Sequence, residues 1–232
     1  VNHMKTLKLN LMTAAILAVA SCAPSGQEMP STVGNPYLPL WEHTPDGEPY
    51  IFEDPDRPGE YRVYVYGSHD SMITGYCGRE LVVWSASVDN LNEWRYDGEI
   101  LRVLNNANGE PLSDKGLSDV LYAPDVTEKI EADGTKMYYL FPNDMEFGRR
   151  SLIAKSPRPD GPFEVCNWSE ENPSWTYGIL EFDPSVFIDD DGKAYMFWVR
   201  FTNGNAIWVA EMSDDLRQVK IETARHLLDA EE

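Results

Sequence analysis

The sequence predicts an all-β fold, and within that class a β-propeller of about three blades. After residue 35, short runs of strand-forming residues alternate with turn residues, and the helical spacing of apolar residues is nearly absent. A group of four such runs occurs three times in order, and four-stranded units in series are the blades of a propeller. A β-sandwich is the alternative, but it would not repeat its strand spacing three times.

The clearest unit is a β-hairpin at residues 182–199. Residues 186–188 and 194–199 are runs of strand formers, and the Asp-Asp-Asp-Gly stretch at 189–192 supplies the turn, since Asp-Gly is a strong hairpin signal. Asp183 stands just before the first strand and is followed by Pro184. A residue before proline favours extended backbone, so we expect Asp183 to be extended at the entrance of the strand.

The strand spacing of this hairpin recurs upstream. From Tyr138 to Ala154 is 16 positions and from Tyr195 to Ala210 is 15, whereas the matching span in the first unit is 22 because residues 68–79 form an insertion. We therefore expect blades at about 46–101, 120–168 and 180–224. The predicted strands are 50–52, 62–66, 81–86 and 94–96, then 124–127, 137–141, 151–154 and 163–165, then 186–188, 194–199, 206–210 and 219–221.

The charge of the chain excludes several classes of partner. With 39 Asp and Glu against 19 Lys and Arg, the formal net charge is -20, which argues against nucleic acids and anionic membrane surfaces and is compatible with a neutral polysaccharide. No Cys/His cluster has metal-ligand spacing, and we expect no cofactor. The acidic run at 189–191 resembles part of a calcium loop, but the ligand spacing does not continue, which favours a plain turn.

The N-terminal residues are typical of an export signal. Lys5 and Lys8 precede an apolar stretch, residues 9–20, that is too short to span a bilayer. The Val-Ala-Ser-Cys sequence ending at Cys22 resembles the bacterial lipoprotein signal, in which the Cys becomes the lipidated first residue; cleavage elsewhere is the alternative. We expect a signal peptide at 1–21, a tether at 22–34 and a domain at 35–232, exported and lipid-anchored on the periplasmic or surface side. Cys77 and Cys166 either pair or stay free.

Propeller geometry brings distant acidic residues together. The innermost strands of all blades run in the same sense, so residues at their entrances converge on one end of the central channel. Asp183 lies there in the third unit, and Asp46 or Glu48 lies there in the first. In the second unit Ala123 matches Asp183, and Asp125 falls one step inside its strand, where a structural hydrogen-bonding role is favoured.

Five short motifs in order resemble glycoside hydrolase family 43. They are N-P-Y-L-P at 35–39, D-G-E-P at 46–49, Y-V-Y-G-S-H-D at 64–70, Y-A-P-D-V at 122–126 and D-P-S-V-F at 183–187. The resemblance extends over residues 35 to about 221. It implies a five-bladed propeller and inverting hydrolysis of xylose- or arabinose-containing glycans, as by a β-xylosidase or an α-L-arabinofuranosidase.

The resemblance also implies roles for two carboxyl groups. Asp46 corresponds to the general base, and Asp183 to the Asp that orients the general acid and tunes its pKa. The acid itself is a Glu of the fourth blade, which is expected beyond Glu232. Because the usual Asp-Pro pair is opened here to Asp-Gly-Glu-Pro, Glu48 competes with Asp46 as the base.

Other functions and residues remain open at this point. A non-catalytic carbohydrate-binding surface lipoprotein and a propeller used as a protein-interaction scaffold are the alternatives to an enzyme. Trp41, Tyr122 and Trp198 could stack on sugar rings, but most aromatic residues of a propeller pack between blades, so no site role is assigned to them. His69 and Asp70 end a strand and could face the pocket. The sequence leaves open the sugar, the linkage, exo or endo action and the oligomeric state.

Overall fold

The computed structural model describes residues 36–71, 77–102, 120–144, 152–167, 182–200 and 205–228. In this part of the chain the strands form three four-stranded antiparallel sheets, and the one helical element is a short 3-10 helix, Ile221–Thr223. These sheets are three blades of a β-propeller, which confirms the predicted fold class.

Each blade is a meander whose strands follow one another in space as in sequence. Blade one contains β1 (Glu48–Glu53), β2 (Tyr61–Ser68), β3 (Glu80–Ser87) and β4 (Asn90–Arg102). Blade two contains β5 (Leu121–Ile130), β6 (Lys136–Asp144), β7 (Ala154–Ser156) and β8 (Glu164–Val165). Blade three contains β9 (Phe182–Ile188), β10 (Ala194–Arg200), β11 (Ala206–Glu211) and β12 (Arg225–Leu228).

The first strands of the blades lie side by side. Strand β5 contacts both β1 and β9, so the three first strands are neighbours although they are far apart in sequence. Their N-terminal ends are the entrances at which the acidic residues were expected to converge.

Two apolar clusters hold the blades together, and strand β6 contributes to both. Its side chains alternate between the two faces of the sheet, so Tyr138 and Leu140 join the cluster with blade one, whereas Tyr139 and Phe141 join the cluster with blade three. Full burial of a side chain such as Phe141 stabilises the fold by about 1.5–3 kcal/mol relative to exposure. The middle blade is therefore fixed on both faces.

The Asp-Gly turns form as predicted in blades two and three. Gly134 and Gly192 have φ values of 85° and 83°, a conformation that other residues rarely adopt. In the second turn the Gly192 N–H donates to the Asp189 carbonyl at 2.8 Å. The Asp189 and Asp191 carboxylates accept backbone N–H groups of the same turn, as expected for a plain turn.

Two predicted strands are wrong in position. In blade three, Val219 makes only an isolated bridge with Met212, and the chain then turns, so the fourth strand is Arg225–Leu228 and not 219–221. The Thr223 hydroxyl closes this turn, because it accepts the Glu211 N–H at 2.9 Å and donates to the Lys220 carbonyl at 2.6 Å. In blade two, the third strand is Ala154–Ser156 and begins where the predicted run at 151–154 ends.

The predicted signal peptide, Cys22 and the tether lie outside the described residues. None of the described segments forms a helix long and apolar enough to cross a membrane.

Candidate functional site

The backbone repeats one unusual conformation at the entrances of the three inner strands. Asp46, Ala123 and Asp183 have φ values of 55°, 28° and 45°, all in the left-handed region. Such a conformation costs about 1–3 kcal/mol for a residue with a side chain and is characteristic of functional sites. The expectation that Asp183 is extended before Pro184 is therefore wrong.

The irregular pairing of the strands explains how this conformation is accommodated. The ladder between β5 and β6 shifts register between Tyr122 and Asp125, and the ladder between β9 and β10 shifts between Phe197 and Val199. Each bulge contains an X-Pro step, and proline has no N–H to donate to the ladder. The bulges turn Ala123 and Asp183 out of the regular pleat. A carboxyl therefore occupies this position in blades one and three, and a methyl group occupies it in blade two.

Asp46 and Asp183 are close enough in the structure for the charge of one to affect the pKa of the other. Burial, and after it the charge of the nearby Asp46 carboxylate, raises the pKa of Asp183 to about 6. Among the described residues, Asp46 is the one charged side chain that perturbs Asp183. Both residues are nevertheless exposed, so a ligand or water can reach them. Two exposed carboxyl groups that are close enough to interact can activate water and bias the protonation of a third group.

Asp46 is the better hydrogen-bonded of the two. The Ser68 hydroxyl donates to Asp46 Oδ2 at 2.8 Å, and the Ala123 N–H donates to Ser68 Oγ at 2.9 Å. Asp183 has no hydrogen-bond partner among the described residues. A donated hydrogen bond favours the ionised carboxylate, whereas desolvation favours the protonated form. The two carboxyls therefore have different environments, as expected for groups with different roles.

Glu48, the competing candidate, acts electrostatically on Tyr50 and Asp125. It is exposed at the start of β1, and its charge adds to the effect of burial in raising the pKa of Tyr50 and Asp125. It lies outside the group of residues with left-handed backbone. These observations favour Asp46 over Glu48 as the partner of Asp183.

Asp125 is a structural clamp between the three blades. It is buried and accepts hydrogen bonds from the Tyr50 hydroxyl of β1, from the Val126 N–H and from the Val186 N–H of β9. Burial raises the pKa of Asp125 to about 6, although these hydrogen bonds oppose the rise. Its oxygens are fully engaged, which agrees with the structural hydrogen-bonding role that the sequence favoured.

His69 and Asp70 are held in local networks. The His69 ring lies between two carboxylates, with Nδ1 2.9 Å from Glu80 Oε1 and Nε2 3.4 Å from Glu42 Oε1. The Asp70 carboxylate accepts the Cys77 N–H. Both residues therefore hold the segment after β2 in place beside Ser68.

The aromatic candidates and the cysteines behave mostly as packing residues. Tyr122 and Trp198 are buried, with 6% and 1% of their surface exposed, whereas Trp41 is 70% exposed. Cys77 and Cys166 are both free. Among the described residues, no group of three or more His, Cys, Asp or Glu side chains is arranged to hold a metal ion.

Sequence reasoning missed Ser68. It stands at the end of β2, inside the motif at 64–70, and is completely buried. The one feature of the sequence that could have indicated Ser68 is its position at the end of the strand that pairs with β1, directly before His69. The sequence did not show that its hydroxyl faces Asp46.

Comparisons with known proteins agree with the fold. The model of glycosyl hydrolases family 43 matches residues 48–232. A xylosidase/arabinosidase of Thermoclostridium stercorarium is 47% identical over 169 residues, which are 70% of this chain and 32% of the relative. Xylosidase/arabinosidase 43A of Humicola insolens is 31% identical over 180 residues, which are 74% of this chain and 48% of the relative.

A solved structure of a related enzyme also resembles this chain. The endo-1,4-beta-xylanase from Bacteroides thetaiotaomicron has a TM-score of 0.51 at 28% identity, and the match covers 80% of this chain and 53% of that one. The chain thus spans about a third to a half of the length of the two curated relatives.

Proposed function

Because the chain belongs to glycosyl hydrolase family 43, we propose that the protein hydrolyses O-glycosidic bonds in xylose- or arabinose-containing glycans with inversion of configuration. The observation that carries the proposal is the pairing of Asp46 with Asp183, at matching positions of two inner strands and close enough for one charge to raise the pKa of the other. The relatives named xylosidase/arabinosidase support the substrate class.

In the proposed mechanism Asp46 is the general base. Inversion needs a carboxylate that removes a proton from water on one face of the sugar and a carboxylic acid that protonates the leaving oxygen on the other, about 6.5–9.5 Å apart. Asp46 is exposed to water and receives a hydrogen bond from Ser68, which orients its carboxylate.

Asp183 acts on the general acid in this proposal. A carboxylate beside a second carboxyl raises the pKa of that group and so keeps it protonated near neutral pH. We expect the acid to be a Glu of a further blade beyond Glu232. Asp183 would orient it and supply the negative charge. No cofactor takes part in any of these steps.

The experiment that tests this function is a panel of aryl glycosides. We expect the full-length protein to release nitrophenol from an aryl β-xyloside or an aryl α-arabinofuranoside, and proton NMR at early times to show the inverted anomer first. Dinitrophenyl glycosides, whose leaving group departs with little protonation, are the matched control, because their hydrolysis depends on the base and much less on the acid.

Two results would contradict the proposal. Retention of the anomeric configuration would reject the assignment of a base and an acid. Binding of xylo- or arabino-oligosaccharides without hydrolysis of any substrate in the panel would favour the alternative, a carbohydrate-binding surface lipoprotein without catalytic activity.

We also propose that the protein is anchored to a bacterial membrane through a lipid on Cys22. The support is the basic and apolar segment that ends in Val-Ala-Ser-Cys. In a bacterial host, Cys22→Ala should move the protein from the membrane fraction to the soluble exported fraction, because the lipid attachment site is lost. Cys77→Ala, which removes a cysteine of the folded domain, is the control and should leave the fractionation unchanged. Membrane retention of Cys22→Ala would contradict the proposal.

A further inference from the structure

We propose that Ser68 is the positioning residue of the site: its hydroxyl holds the Asp46 carboxylate and ties it to the backbone of blade two. The inference rests on the proposed role of Asp46 as general base. Ser68 touches no substrate in this proposal. It acts through Asp46.

The direction of the hydrogen bonds follows from the donors. A backbone N–H can only donate, so the Ala123 N–H makes Ser68 Oγ an acceptor at 2.9 Å. The hydroxyl has a single proton, and Asp46 Oδ2 lies 2.8 Å from Oγ. Ser68 is completely buried, so water does not compete for either bond. The proton is therefore directed at Asp46, which stabilises its charged form and fixes one of its two oxygens.

Close packing of the backbone brings Asp46 over Ser68. At Gly67, an added Cβ would lie 2.4 Å from Thr44 Cγ2 and 2.9 Å from the Pro45 carbonyl oxygen. Only glycine admits the 44–45 segment this close to the end of β2. The segment therefore approaches β1 beside the end of β2, where the Ser68 hydroxyl reaches the Asp46 carboxylate.

Other ionisable groups around Asp46 do not provide this contact. Burial raises the pKa of the Cys77 thiol to about 11, while a hydrogen bond with Ser68 opposes the rise and the charges of Asp70 and Asp46 add to it. The thiol is therefore protonated and uncharged at neutral pH, and its sulfur is a much weaker acceptor for the Ser68 proton than the Asp46 carboxylate is. Asp183 repels Asp46 and gives it no hydrogen bond. Ser68 is thus the donor that the described residues offer to Asp46.

Blade two contributes a backbone N–H to this arrangement and not a carboxyl group. Ala123 has the same left-handed backbone as Asp46 and Asp183 but carries only a methyl group. Its contribution is its N–H, which reaches Asp46 through the Ser68 hydroxyl. A change in the spacing of blades one and two would be transmitted to the Asp46 carboxylate by this path.

The test compares Ser68→Ala with Ser68→Thr and Ser85→Ala in the full-length protein. Ser85 is a matched control, since it is also completely buried in blade one but bonds to Arg62, at 2.9 Å. Ser68→Ala should lower kcat by about ten- to a hundredfold, the value of a hydrogen bond to a charged group, with KM nearly unchanged. The acidic limb of its pH–rate profile should move to higher pH. Ser68→Thr keeps the hydroxyl and should restore much of the rate, and Ser85→Ala should alter stability without altering the pH profile.

A second measurement does not need turnover. In protein labelled with 13C at Asp carboxyl groups, the NMR resonance of the Asp46 carboxyl should shift in Ser68→Ala, because the donor to Oδ2 is lost, and stay in place in Ser85→Ala. An unchanged Asp46 resonance together with an unchanged kcat in folded Ser68→Ala would overturn the inference, even if the wild type hydrolyses glycosides. Absence of turnover in the wild type would instead count against the proposed function.

Discussion

Replacing Asp46 by Asn is expected to lower kcat by about a hundred- to ten-thousandfold, the usual contribution of a positioned general base, while sugar binding stays measurable. Asn keeps the shape of the side chain and can still accept the hydrogen bond from Ser68 Oγ at its amide oxygen. It cannot remove a proton from water. The measurement is kcat and KM on aryl glycosides, with oligosaccharide affinity determined by calorimetry.

Glu48→Gln is the control for this experiment. Glu48 lies two residues further along, is equally exposed, and competes with Asp46 for the same role on sequence alone. We expect Glu48→Gln to keep most of the activity, because its charge acts on Tyr50 and Asp125 and not on Asp183. A large loss of kcat in Glu48→Gln with little loss in Asp46→Asn would assign the general base to Glu48 and not to Asp46.

The same substitution also tests the pairing of the carboxyls without catalysis. The Asp46 charge contributes to the raised pKa of Asp183, about 6, so Asp46→Asn should lower that pKa. A carboxyl 13C titration of Asp183 in the two proteins measures the change. An unaltered titration would show that the two groups do not share a site.

The fold was largely predictable because its determinants are local. Asp-Gly turns at 133–134 and 191–192 mark two hairpins, and the run at 137–141 alternates between two apolar faces in the strand that both clusters need. These features depend on neighbouring residues, which the sequence shows directly. The last strand of blade three was misplaced because Thr223 closes a turn through a contact with Glu211, which lies on another strand.

Only the part of the site that follows from the repeated strand pattern could be predicted from the sequence. Matching Pro124 with Pro184 aligned Ala123 with Asp183, and the backbone confirms that alignment. The conformation was mispredicted, because the preference of residues before proline for extended backbone is a local tendency, which the bulges in β5 and β9 override. The proposed role of Ser68 depends on how the 44–45 segment before β1 packs against Gly67 in β2, a contact that no local pattern encodes.

Replacing Asp183 by Asn is expected to slow turnover by about a hundredfold, the size of the loss when a catalytic group is misplaced, with a loss that depends on pH. A negative charge beside the general acid raises the pKa of that acid, so its removal lowers this pKa and moves the basic limb of the pH–rate profile to lower pH. The pKa of Asp183 is itself raised to about 6, so wild-type Asp183 is mostly neutral below pH 6 and charged above it. The ratio of wild-type to variant kcat should therefore grow as the pH rises through 6.

The leaving group separates this defect from that of Asp46→Asn. If Asp183 acts through the acid, Asp183→Asn should be impaired mainly on nitrophenyl glycosides and much less on dinitrophenyl glycosides, whose leaving group departs with little protonation. Asp46→Asn should be impaired on both, since every substrate requires activated water. Equal losses on both substrates for Asp183→Asn, with no change in the basic limb, would show that Asp183 contributes to binding or to the base and does not tune the acid.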